Sequence, residues 1–302
     1  MSQNNALSEV VVPMLEGIPD QVCVQPEKMQ RVQGIGRIMV KAVENRSRLD
    51  QLFQEGAAKI RVPRGYGAGL DAVIINTAGG LTGGDELFWH CEAGADTALT
   101  VTTQACEKTY KAIGHEPARV MVDLKLGAGA QLAWLPQETI LFNSARLVRN
   151  LNVDMVSGSR LLMVEPVILG RKAMGEAVST GIFRDRWRVR IDGRLIHAED
   201  TVLGEDIAGH TAHAVGFAGA TAFATILCVA PDMADQLPAV RSIIDKSGDG
   251  TGGASAWSLH YGRTGKLLAR VCAQDGYTLR KTLVPLLHLL TDGAGVPKIW
   301  SL

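Results

Sequence analysis

The chain is 302 residues long, with 31 basic and 31 acidic residues and a formal charge of zero. A balanced chain lacks the basic footprint that nucleic acids and anionic membranes select, so neither is expected as its main partner. At this length, and with 46% hydrophobic residues, it can bury a substantial core as one large domain or two smaller ones.

Five cysteines, Cys23, Cys91, Cys106, Cys228 and Cys272, are odd in number and scattered. With no Cys-x-x-Cys pair they fit a reducing compartment and exclude a recognisable zinc knuckle. The chain does not open with a basic segment followed by an apolar run, and no apolar stretch reaches the roughly 18 residues of a membrane span. A cytoplasmic location is the expectation.

Residues 1–28 carry Pro13, Pro19 and Pro26 without a sustained period and read as a flexible leader. Residues 29–302 read as one β domain. From Arg37 the pattern has period two: Ile38, Val40 and Ala42 face one way and Arg37, Met39 and Lys41 the other. The run Val73-Ile74-Ile75 reads as a buried strand and leads into Asn76-Thr-Ala-Gly-Gly-Leu-Thr-Gly-Gly-Asp85. Its two Gly-Gly pairs allow positive φ twice within one turn of chain and clear bulk from around Asp85. A β-hairpin or bulged loop is the plainest account of it. Neither GxxxxGK[ST] nor GxGxxG occurs, so a phosphate cradle is not supported.

Further on, Val120, Val122, Leu124 and Leu126 alternate with Arg119, Asp123 and Lys125. Trp187, Val189 and Ile191 alternate with Arg186, Arg188 and Arg190. Many short strands with glycine-rich turns mean a mainly β fold. A weak repeat sharpens this. Gly94-Ala95 followed by Leu99, Val101 and Gln104 recurs as Gly127-Ala128, Leu132, Trp134 and Gln137, a shift of 33 residues. Leu162, Val164 and Pro166 repeat Leu132, Trp134 and Pro136 at a shift of 30. Such a period predicts strands stacked turn upon turn, as in a β-helix-like single domain; chance resemblance among turns of a meander is the alternative. About two helices are expected towards the C-terminus. One is capped by Asp232, starts at Met233 and has Leu237, Val240, Ile243 and Ile244 as its stripe. The other runs from about Tyr277 to Thr291, kinked at Pro285 and stopped by Asp292-Gly293. Its leucines and Trp300 either pack on the chain's own sheet or offer apolar surface to a partner.

Several motifs, in order, resemble the urease accessory protein UreD family, called UreH in some organisms. They are the Asn76–Asp85 stretch, Thr102-Thr-Gln-Ala-Cys-Glu-Lys-Thr-Tyr110, Trp134-Leu-Pro-Gln-Glu138, Leu169-Gly-Arg171 with Met174-Gly-Glu176, Arg184-Asp-Arg-Trp187, and Pro297-Lys-Ile-Trp300. The resemblance spans roughly Arg37 to the C-terminus. It implies a largely β, β-helix-like fold and a maturation factor that helps install nickel in urease and turns over no substrate itself. It further implies that the chain works with the accessory proteins UreF and UreG and with the urease apoprotein, holding no cofactor stably and nickel only in transit. UreG would supply GTP hydrolysis, in keeping with the missing phosphate loop.

Read from the residues alone, chemistry concentrates in acids. His210 and His213 form a His-x-x-His pair without a third ligand at motif spacing. His90 and Cys91 are strand neighbours and point to opposite faces. No Gly-x-Ser-x-Gly or HExxH motif marks a catalytic nucleophile or a zinc protease. Glu165, in contrast, interrupts an apolar run, where an unpaired carboxylate is costly to bury. Asp85 lies in the glycine loop, Glu107 at the threonine-rich strand end, Glu176 after Met174-Gly175, and Glu199 behind Leu195-Ile196-His197-Ala198. Each could be an ion-pair member, with Lys108, Arg171, Arg184 or Arg186 as partner. Alternatively Asp85, Glu107, Glu165, Glu176 and Glu199 line an interior path of oxygen ligands that lets a divalent ion pass. The rivals are a carboxylate-using polysaccharide lyase or hydrolase on a β-helix, and an assembly chaperone with no metal contact. Only 5% aromatic residues count against the sugar-binding enzyme.

Overall fold

The computed structural model describes residues 30–301 apart from 66, 247–249 and 292–294. The expected leader over residues 1–28 and the Asp292-Gly293 helix stop lie outside the described residues. Three strands come first: β1 (Gln33–Val43), β2 (Arg46–Gly56) and β3 (Ala58–Arg61). The chain then coils through β4 (Leu70–Asn76), β5 (Glu86–Ala93), β6 (Ala98–Thr103), a short β7 (Glu107–Thr109), β8 (Ala118–Leu126) and β9 (Gln131–Leu135). It continues through a short β10 (Thr139–Leu141), β11 (Arg146–Met155), β12 (Arg160–Leu169) and β13 (Ile182–Ile191). The remainder is β14 (Arg194–Leu203), α1 (Ile207–Ala212), β15 (Ala222–Pro231), α2 (Met233–Lys246), β16 (Gly250–Ser258), β17 (Thr264–Ala273) and α3 (Gly276–Leu290).

Successive coil strands fall alternately in two sheets. Sheet A has the order β14-β13-β11-β8-β5-β1-β2, and the main path of sheet B is β16-β17-β15-β12-β9-β6-β4-β3. Within the coil, β1, β5, β8, β11 and β13 are parallel neighbours in A, as are β4, β6, β9 and β12 in B. The result is a β-solenoid-like stack of about four turns, as the repeat predicts. Antiparallel strands finish both ends: β2 on β1 and β3 on β4 at one, β14 on β13 and β15 on β12 at the other.

The turns at Gly94 and Gly127 are one rung apart, since Ala93 is registered on Leu126 and Gly127 N–H donates to the Ala93 carbonyl at 2.8 Å. A Cβ on Gly127 would stand 2.8 Å from the Ala95 nitrogen, which accounts for glycine at this close approach. The next rung corrects the expected shift of 30. Leu132 and Trp134 are registered on Leu161 and Met163, one residue earlier than Leu162 and Val164. A one-residue slip turns side chains to the other face. Leu161 and Met163 accordingly join Trp134 between the sheets, whereas Leu162 and Val164 face the helices. Ala42 departs from its expected burial: it is exposed near the free end of β1, beyond buried Ile38 and Val40. The glycine stretch is likewise no hairpin, because β4 and β5 belong to different sheets; it forms a corner of the coil.

Helices α2 and α3 pack on sheet B. Leu279, Leu283, Leu286, Leu287 and Leu290 of α3 join Val240 and Ile244 of α2, with partly buried Leu237 and Ile243 against them. Asp275 caps α3 by accepting from Thr278 N–H at 2.8 Å. Asp232 precedes α2 as expected, but its carboxylate is engaged by Arg263. The third helix, α1, has no clear sequence signal: six Gly- and Ala-containing residues carry too short an apolar stripe to announce a helix. No helix among the described residues is long and apolar enough to cross a membrane.

Candidate functional site

Three charged side chains face inward where the strand period demands apolar ones. Arg149 of β11 shares the buried parity of Leu147, Leu151 and Val153, and Asp185 of β13 that of Phe183 and Trp187. Glu165 of β12 is 3% exposed. Arg149 and Asp185 are register partners across parallel strands. The guanidinium grips Asp185 twice, at 3.0 and 2.7 Å, and donates to Thr139 Oγ1 at 3.2 Å. It also pairs with Glu165, which accepts from Trp134 Nε1 at 2.7 Å. Two carboxylates thus share one cation, and the network spans both sheets. Burial pushes the Glu165 carboxyl up to about 7, Arg149 opposes the shift, and the nearby Asp185 charge adds to it.

Glu165 and Arg149 line a cavity of about 50 Å³ between the sheets, together with Glu107, Trp134, Gln137 and Thr139. A single water needs roughly 10–15 Å³, so this space admits small polar guests. Gln137 Nε2, buried on its wall, has no hydrogen-bond partner among the described residues. Glu107 also lines a larger pocket of about 210 Å³, which shares Ile74, Trp89 and Thr103 with the cavity. It therefore stands where the two pockets meet. Asn76 Nδ2 donates to it at 3.1 Å, and burial raises its carboxyl to about 7.

Beside this neck lies a second polar group. Arg280 of α3 donates to both carboxylate oxygens of Glu138, at 2.7 and 3.0 Å, and to Gln137 Oε1. Cys106 Sγ–H donates to Glu138 at 3.3 Å. Burial foremost, and then the Glu138 charge, push that thiol up to about 11, which keeps it protonated at neutral pH. Trp300 is buried beneath the Arg280 guanidinium, and its Nε1 donates to the Leu135 carbonyl at 3.0 Å. This tail therefore packs on the chain's own sheet.

The five acids singled out from sequence divide. Glu107 and Glu165 share the cavity. Asp85 is buried, but both its oxygens are taken by backbone N–H groups, Val32 at 2.8 Å and Thr82 at 2.7 Å, so it fastens the corner of the coil. Glu176 accepts from Arg171 Nε at 2.7 Å, and that bond first of all holds its carboxyl below the usual range. Glu199 is engaged by Arg270 at 2.6 Å. Among the anticipated ion pairs Arg171–Glu176 is present, whereas Arg184 pairs with Asp200. His210 and His213 are exposed, and among the described residues no three of His, Cys, Asp and Glu gather as metal ligands.

A family model described as UreD urease accessory protein matches residues 33–301. A urease accessory protein UreD of Agrobacterium fabrum is 52% identical over 278 residues, covering 92% of this chain and 94% of that protein. Those of Rhizobium etli and Mesorhizobium japonicum are 50% and 48% identical, each covering 96% of the relative and 90% or 92% of this chain.

Proposed function

The chain belongs to the UreD urease accessory protein family, and from that premise we propose that it serves urease maturation by giving nickel a route towards the enzyme. The observation that carries this reading is the pair Glu107 and Glu165, which meet in one cavity between the sheets, Glu107 at its junction with a second, larger pocket. A hard divalent cation moves among spaced oxygen donors without the tight hold of a Cys/His cage. Arg149 is already matched by Asp185, so the Glu165 carboxylate is the surplus negative charge that a passing cation would neutralise. Asp85, Glu176 and Glu199, committed to backbone or arginine, hold the walls and corners in shape.

In this reading the chain acts as a scaffold that joins the urease apoprotein and the accessory proteins UreF and UreG. Nickel is cargo, and no tight site is required. The test is complementation. Cells lacking the chain should make urease of low activity, restored by the wild-type chain, which should co-purify with the apoprotein. Full urease activity without the chain would refute the proposal. Glu107→Gln with Glu165→Gln should keep co-purification and lower activation; normal activation would favour a scaffold that never meets the metal.

A further inference from the structure

The outer face of sheet A carries a groove that the nickel route does not use. Parallel sheets are usually covered on both faces, yet α2 and α3 both pack on sheet B. On the side facing away from sheet B, Arg37 of β1 lies opposite Phe53 of β2 and His90 of β5. Its guanidinium is 5.6 Å from the Phe53 ring centre and 5.9 Å from that of Phe88. Met39 and Gln51, register partners on the same face, complete a groove of about 410 Å³, with Phe53 47% exposed. The neighbouring charges are used locally, His90 lying 3.6 Å from Glu92 and Lys41 2.7 Å from Asp50. The Arg37 guanidinium has neither a carboxylate nor a hydrogen-bond partner among the described residues.

We propose that this groove docks a protein of the urease maturation complex through a carboxylate side chain flanked by apolar residues, the carboxylate meeting Arg37. Charge complementarity selects the occupant. An arginine stacked on aromatic rings is oriented, while its donors remain open to a planar anion. The flanking Phe53, Phe88 and Met39 reward apolar neighbours that a free small anion would lack, in the manner of an interface anchor. The groove lies on the opposite side of sheet A from the cavity, so docking here leaves the interior route untouched. The proposal rests on the maturation reading.

The experiment co-expresses the full chain with the urease apoprotein and accessory proteins and measures assembly by quantitative pull-down. Arg37→Glu should weaken assembly at least tenfold, and Arg37→Lys less, with the thermal unfolding midpoint of each variant unchanged. Benzoylphenylalanine placed at position 53 should cross-link to a partner segment containing Asp or Glu. Undiminished assembly of Arg37→Glu, or a formed complex with no cross-link from position 53, overturns the groove. If the wild-type chain itself does not assemble, the maturation reading falls and the groove proposal with it.

Discussion

Replacing Arg149 by Met tests the centre of the fold and the setting of Glu165 together. The wild-type guanidinium makes two hydrogen bonds to Asp185 and one to Thr139, pairs with Glu165, and lies 5.8 Å from the Phe183 ring centre. Methionine preserves much of the volume but leaves two carboxylates between the sheets without a cation. Breaking a buried pair from one side costs roughly 3–5 kcal/mol. Glu165 can take up a proton, so most of that cost falls on Asp185, which holds the bidentate bond. Urea unfolding at pH 7 should reveal the loss. With a slope of about 3 kcal/mol/M, the upper figure for small proteins, the midpoint falls by roughly 1–1.7 M. Adding Asp185→Asn and Glu165→Gln to the methionine variant should recover most of it, since amides cost far less to bury than unpaired carboxylates. A loss below about 1 kcal/mol, or no recovery in the triple variant, would refute the claim that charge balance governs this network.

Other outcomes follow from the same contacts. Glu107 and Glu165 both bind protons more tightly folded than unfolded, their carboxyls rising from 4.5 to about 7. Their contribution to stability is therefore full below about pH 4.5 and is lost as pH rises through 7. Urea midpoints measured from pH 4.5 to 8 should fall more steeply for wild type than for the double glutamine variant, and parallel curves would contradict this. Asp85→Asn turns an amide donor towards one of two backbone N–H groups and should cost about 1–3 kcal/mol by urea unfolding; a neutral result would mean that the corner does not depend on Asp85. Trp300→Ala removes a buried indole and its bond to Leu135, with an expected loss of about 3–5 kcal/mol, again read by urea unfolding.

Much of the architecture was legible because a solenoid writes its period into the chain. Gly94 and Gly127 carry that period at places where stacked turns leave no room for Cβ. The slip from 30 to one residue less was not legible, since Leu162 and Val164 are as apolar as Leu161 and Met163, and both faces of β12 are buried. Glu165 stood out as a charge in an apolar run. Its partners, Arg149 and Asp185, carried a signal of their own: each occupies the buried parity of its strand. Arg149 hides among Arg146, Asn150 and Asn152, and Asp185 among arginines, so composition masked what alternation would have disclosed. The Arg280–Glu138 pair joins residues 142 apart, and nothing local signals a contact of that range. Around Asp85 the glycines do clear side-chain bulk, and they fold the loop tightly enough for backbone N–H groups to reach both carboxylate oxygens.

The measurement closest to the central claim is the nickel content of urease matured in cells that carry either the wild-type chain or the Glu107→Gln, Glu165→Gln variant. Urease would be purified from both and its nickel counted per active site by mass spectrometry, with the accessory complex verified by co-purification. The interior route requires a clear nickel deficit in urease matured with the variant, despite an intact complex, and a deficit that eases as nickel in the medium is raised. Equal nickel occupancy from both chains, at limiting nickel and with equal amounts of complex, would contradict it.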